Sequence, residues 1–266
     1  MQLMEGKNGV IMGIANDRSI AWGIAKSLAQ EGAKMIFSYQ SEAFLKRIKP
    51  LADSIGVVDL IECDASSDES IRSLFTKTNA KLGKIDFVVH AIAYSAKEEL
   101  TGPYLNTSRA NFLNTMDISC YSFTAMCKFS ADYLSDNASL LTLTYIGAER
   151  VMPHYNVMGI AKAALDASIK YLAVDFGKRN IRVNGLSAGP VKTIASSGID
   201  DFRYILKWNQ YNAPLKRNTT LDDIGGCALF LLSDLSSGVT GEIVHVDSGY
   251  HVVGMKATDA PDISVV

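Results

Sequence analysis

The sequence predicts one doubly wound α/β domain, a seven-stranded parallel sheet with helices on both faces, and three observations carry that prediction. Short β-rich runs alternate with longer helical runs along the whole chain. The strand candidates are apolar at successive positions, as strands covered on both faces must be. No Pro/Gly/Ser-rich linker and no repeat of fixed period interrupts the series. Right-handed βαβ crossovers are how such a series closes into a sheet.

The elements follow in order. An apolar run over 9–13 is the first strand, and 20–31 is a helix that stops at Gly32. A second strand over 34–38 leads to a helix over 42–54. The third strand, 57–62, precedes a helix over 68–81 closed by Gly83, because glycine takes the left-handed conformation that ends a helix. Strand four is 87–90, and a long helix is expected over 109–134. Strand five is 139–144, followed by a helix over 155–176. Strand six is 181–186, then a helix over 221–232, then strand seven at 242–246. Two segments, 94–106 and 191–215, fall outside the alternation. Both follow carboxyl ends of strands, where open α/β sheets bind ligands, so both are lid candidates. The domain is expected over 1–256, with a polar tail at 257–266.

Composition limits the function classes. The 266 residues carry 26 basic and 28 acidic side chains, a net charge of −2, which gives no reason to expect a nucleic acid or an anionic membrane as partner. At 48% hydrophobic and 20% charged, the chain has ample material for a core. Apolar runs such as 227–232 fall far short of the ~20 residues that span a bilayer. The first nine residues have no apolar stretch behind their charges and do not read as a secretory signal. Cys63, Cys120, Cys127 and Cys227 form no Cys-x-x-Cys pair and have no neighbouring histidines, so free buried thiols in a reducing compartment are expected, with no metal site. The expected location is cytoplasmic.

Strand one runs into a turn with small residues at Gly13, Ala15, Ser19 and Ala21. Such a turn lets backbone N–H groups meet a pyrophosphate at the positive end of the next helix. The spacing is not Gly-x-Gly-x-x-Gly, and an ordinary strand–loop–helix junction remains the alternative. Strand two ends at Gln40, which can hydrogen-bond a ribose hydroxyl, and Ser41 and Glu42 supply no cation for a 2′-phosphate. NADH is therefore favoured over NADPH. Asp64 and Ala65 close strand three, where the acid either accepts a bond from an adenine amino group or caps the next turn.

Tyr155 and Lys162 lie seven residues apart at the start of a helix, almost two turns, so they share one face about 10.5 Å apart along the axis. Upstream stands Tyr145 at the end of strand five; downstream come runs over 182–193 and 241–249. With these motifs the chain resembles the short-chain dehydrogenase/reductases, a Rossmann-like family, over nearly its whole length. More narrowly it resembles the NADH-dependent enoyl-acyl-carrier-protein reductases of bacterial fatty acid synthesis. Ordinary members of the superfamily place tyrosine four residues before lysine. Here that position is Met158, and the tyrosine stands one turn upstream. That spacing, the Gly13 to Ala21 turn and Tyr145 make the resemblance specific.

The resemblance implies roles. Lys162 would hold the nicotinamide ribose hydroxyls and add positive charge. Tyr155 would reach the thioester oxygen of a trans-2-enoyl substrate and stabilise the enolate formed by hydride addition at C3. Tyr145 would line the substrate pocket, its alternative being an aromatic core residue. Ile20 and Ile92 would line the cofactor groove, and Val191, Lys192, Thr193, Ile194 and Ala195 would pack beside the nicotinamide carboxamide. Ser95 falls where the family's backbone meets substrate. His90 and His154 flank the site and read as structural.

Residues 194–215 correspond to the family's substrate-binding loop and carry Ile199, Phe202, Tyr204, Ile205, Leu206, Trp208 and Tyr211, an apolar set suited to folding over an acyl chain. The family's portal helix usually bears positive charge for the acidic acyl carrier protein. Here Asp200 and Asp201 precede Arg203 and Lys207, which departs from that pattern. Family members are usually homotetramers. Competing readings are a carbonyl-reducing dehydrogenase such as a β-ketoacyl reductase, which Met158 opposes, and a non-catalytic NAD(H)-binding protein.

Overall fold

Successive residues of each central strand enter opposite cores, which is why apolar residues stand at consecutive positions in them. Val10, Met12, Ile36, Val88, Leu140 and Val183 pack on one face of the sheet. Ile11, Phe37, Phe87, Val89, Leu141 and Leu186 pack on the other. The computed structural model describes residues 2–193 and 202–263. Its strands are β1 (Asn8–Met12), β2 (Lys34–Tyr39), β3 (Leu60–Glu62), β4 (Ile85–His90), β5 (Leu134–Thr144), β6 (Arg182–Ala188) and β7 (Ile243–Val246). All neighbours pair in parallel, in the order β3-β2-β1-β4-β5-β6-β7. The order reverses between β1 and β4, which opens a crevice at their carboxyl ends.

Local chemistry sets the helix ends. Helices α1 (Ile20–Gln30) and α2 (Glu42–Ser54) cross between the first strands. Helix α3 (Asp68–Leu82) starts with the Ser67 side chain accepting from Ser70 N–H and stops at Gly83, φ 77°. Helix α6 spans Asn156–Phe176 and α7 spans Phe202–Asn212. A capping box between Thr220 and Asp223 opens α8 (Leu221–Leu232).

Two expectations need correction. The helix expected over 109–134 is α4 (Arg109–Met116), a π-helical turn (Asp117–Tyr121) and α5 (Ser122–Ser130). Its last expected residue, Leu134, begins β5, and its Ser119 is drawn into bonds with a neighbouring loop. Strand β5 begins five residues before the expected 139. Leu134 pairs with Ile85 and Ser139 with Phe87, and the intervening residues loop out around Asn137, φ 70°. Among the described residues no helix is long and apolar enough to cross a membrane, and no group of His, Cys, Asp and Glu is placed to hold a metal.

Candidate active site

Gly13 ends β1 at the reversal of the sheet. At φ 101°, a Cβ there would lie 2.1 Å from Ala91 O, so only glycine lets the β1 and β4 ends approach this closely. Ser19 acts on the turn itself: its Oγ accepts from Ala15 N–H at 2.9 Å and Asn16 N–H at 3.0 Å. Being so engaged, it makes no side-chain cap on α1. The positive end of α1 thus faces the crevice, which fits a pyrophosphate. Ile20 and Val191 lie half-buried against one core, and Ile92 against the other. Gln40 is exposed just past β2. Asp64 accepts from Ser66 N–H at 2.9 Å and Ser66 Oγ at 2.8 Å, the capping contact weighed in the sequence, and Ala65 is half-buried beside it. Lys192 is exposed and Thr193 half-buried. Ile194 and Ala195, like Ile199, Asp200 and Asp201 of the loop, lie outside the described residues.

Tyr155 is placed by a sharp turn, with His154 at φ 56° and Asn156 at φ 43° on either side. Asn156 Nδ2 donates to Gly102 O at 3.2 Å, tying this turn to the 94–106 segment. The Tyr155 ring meets Tyr145 edge to face, centroids 5.0 Å apart. Both belong to a small cluster with Leu100, Val157 and Met158. Burial pushes both phenols up, so each stays protonated and can donate.

Lys162 is 5% exposed and donates from Nζ to Leu143 O at 2.7 Å, leaving two ammonium protons for a ligand. Burial lowers its pKa to about 8, against the favourable pull of Asp166 one turn on. At neutral pH it remains mostly charged. His90 is structural, as expected: it bonds to Thr142 Oγ1 at 3.0 Å and Ser122 Oγ at 2.8 Å and is kept neutral by burial.

The structure adds residues that sequence reasoning missed. A Cβ at Gly147 would lie 2.4 Å from Tyr155 Cδ1, and one at Gly159 would lie 2.8 Å from Gly147 O. These two glycines make the space in which the Tyr155 ring sits. The Ser95 side chain turns to Asn111 and Thr115, leaving its main chain for any ligand. No local sequence signal marks these contacts, since each joins segments distant along the chain.

The family model described as Enoyl-(Acyl carrier protein) reductase matches residues 13–251. A Rhizobium meliloti (strain 1021) protein named enoyl-acyl-carrier-protein reductase (NADH) 1 is 64% identical over 264 residues, covering 99% of this chain and 97% of that protein. The crystal structure of the Anaplasma phagocytophilum reductase in complex with NAD superposes with a TM-score of 0.94 at 58% identity, covering 98% of each chain. The Bacillus cereus reductase, solved with NADP+ and indole naphthyridinone, gives 0.93 at 46% identity, covering 96% of this chain and 100% of that one. Identity at this level, sustained over nearly the full length of each relative, means that the chain belongs to the enoyl-(acyl carrier protein) reductase family.

Proposed function

We propose that the protein uses NADH to reduce the trans-2 double bond of enoyl thioesters carried on acyl carrier protein, the last step of the fatty acid elongation cycle. One observation carries the reading. Tyr155, buried and protonated, stands one turn further from Lys162 than carbonyl reduction requires, and Met158 fills the nearer position. When bound, the cofactor supplies a hydride for C3 of the substrate. Negative charge then gathers on the thioester oxygen two carbons away. Tyr155 donates its phenolic proton towards that oxygen and stabilises the enolate, which takes a proton at C2. Tyr145 fixes the Tyr155 ring by its edge-to-face contact.

Lys162 holds the ribose hydroxyls with an ammonium already aligned by Leu143 O. Gly13, Ser19, Ile20, Gln40, Asp64, Ala65, Ile92 and residues 191–195 form the remaining cofactor contacts in this reading, and Ser95 meets the substrate through its main chain. Helix α7 serves as the lid: its Ile205 is buried, while its Tyr204 and Trp208 pair their rings 5.8 Å apart. A homotetramer built on the long helices is supported by Tyr171 and Val174 on α6, each 78% exposed. The enzyme would work in the cytoplasm, where NADH and the acyl carrier substrate are found together. The test is NADH oxidation with crotonyl and acetoacetyl thioesters side by side. Turnover of crotonyl thioester alone supports the reading; turnover of acetoacetyl thioester alone favours carbonyl reduction; cofactor binding without turnover of either would leave a silent NAD(H)-binding protein.

A further inference from the structure

Helix α4 and the π turn carry three polar side chains at four-residue intervals, Asn111, Thr115 and Ser119, none more than 6% exposed. A buried helix face normally carries apolar residues. Here the three are spent on three consecutive residues of the loop after β4. Ser119 Oγ donates to Tyr94 O and accepts from Tyr94 N–H, both at 2.9 Å. Thr115 Oγ1 donates to Ser95 Oγ at 2.9 Å, and Asn111 Nδ2 donates to the same oxygen at 3.1 Å. Asn111 Oδ1 accepts from Ala96 N–H at 3.0 Å. Positions four apart on an α-helix drift by about 40° per step, and the wider π turn reduces that drift for Ser119. Ser119 Oγ also lies 3.7 Å from Met158 Sδ, on α6 between Tyr155 and Lys162.

We propose that Asn111, Thr115 and Ser119 are positioning residues that hold the main chain of 94–96 in the conformation that meets the acyl substrate, and that Ser119 couples this loop to the Tyr155 helix through Met158. The proposal rests on the reading of Ser95 given above. Apolar packing does little to fix this loop, since Tyr94 is 51% exposed. Hydrogen bonds are directional, so they fix a backbone in one orientation where apolar contacts would let it slide. With its side chain spent on the helix, Ser95 has only its main chain to offer a ligand.

The test uses Ser119→Ala and Thr115→Val, each of which removes one hydroxyl and its bonds with little change in shape, in the full-length enzyme. Ser130→Ala is the control: it deletes an equally buried hydroxyl that donates to Cys127 O at the far end of α5. The expected result is a rise of roughly tenfold in KM for crotonyl thioester in both variants, with NADH affinity held within about twofold. Amide exchange at residues 94–96 should quicken about tenfold as well, and Ser130→Ala should change neither quantity. Unaltered exchange at 94–96 would overturn the proposal, as would faster exchange with an unaltered KM. An equal loss of NADH affinity would also overturn it and make the ladder a general packing feature. A wild-type enzyme inert towards crotonyl thioester would instead sink the functional reading, and the exchange comparison would still decide whether the ladder holds the loop.

Discussion

Replacing Gly147 with alanine tests the placement of Tyr155 by a change that touches neither tyrosine chemistry nor the lysine. Gly147 lies in the turn after β5. The added Cβ would stand 2.4 Å from Tyr155 Cδ1, 2.7 Å from Cε1 and 3.1 Å from Tyr145 Cδ1. Carbon atoms rest about 3.5–4.0 Å apart, so the ring must move by about 1 Å. The main chain has little room to yield, because Gly147 O already lies against α6 at Gly159. A misplacement of about 1 Å in a donor aimed at a developing oxyanion costs on the order of a hundredfold in rate. Overpacking itself should cost about 1–3 kcal/mol of stability. The expected outcome is a fall of about a hundredfold in kcat for crotonyl thioester, followed by NADH absorbance, with NADH affinity little altered. Gly177→Ala is the control, since nothing lies within 4 Å of its added Cβ. A folded Gly147→Ala enzyme with kcat within about threefold of wild type would refute the reasoning.

Other perturbations separate the remaining parts of the site. Lys162→Ala should weaken NADH affinity more than Tyr155→Phe, which should act mainly on turnover; fluorescence titration showing unchanged affinity in the lysine variant would refute the ribose role. Burial holds the His90 pKa at about 3, so below its ordinary value of 6.5 the unfolded chain binds a proton that the folded chain refuses. Stability should therefore fall as pH drops from 6.5 towards 3, by up to about 1.4 kcal/mol per pH unit, and His90→Gln should flatten urea-unfolding stability between pH 7 and 5. Arg203 and Lys207 are exposed one turn apart on α7, and reversing both to Glu should raise KM for an enoyl-carrier substrate at low salt while sparing the coenzyme A thioester. Equal effects on both substrates would assign the pair to the lid.

The elements most legible in the sequence were those whose limits are set locally. Helix α8 falls on 221–232, where the capping box of Thr220 and Asp223 opens it, and α2 falls on 42–54. The seven-strand parallel sheet follows from strands that carry apolar residues on both faces, because each central strand is covered on both sides. The spacing of Tyr155 and Lys162 placed both at the start of one helix, and Tyr155 lies just before α6 with Lys162 inside it. What escaped the sequence depends on distant contacts. The break at Asp117–Tyr121 accompanies bonds from Ser119 to Tyr94, 25 residues away. The spacing of Asn111, Thr115 and Ser119 carries no sign of the loop they bond, whose residues lie 15 to 25 positions away. Nothing in the sequence around Gly147 points to the Tyr155 ring that lies beside it.

The central claim is conjugate reduction with Tyr155 serving the thioester oxygen, and the most direct measurement is where isotope enters the product. Crotonyl thioester should be reduced with NADH carrying deuterium at both C4 positions, and separately with unlabelled NADH in deuterium oxide. The butyryl product of the first reaction should hold one deuterium at C3, and that of the second should hold one at C2. Tyr155→Phe should slow both reactions without changing either position. Deuterium from the cofactor at any carbon other than C3, or solvent deuterium absent from C2, would contradict the assignment.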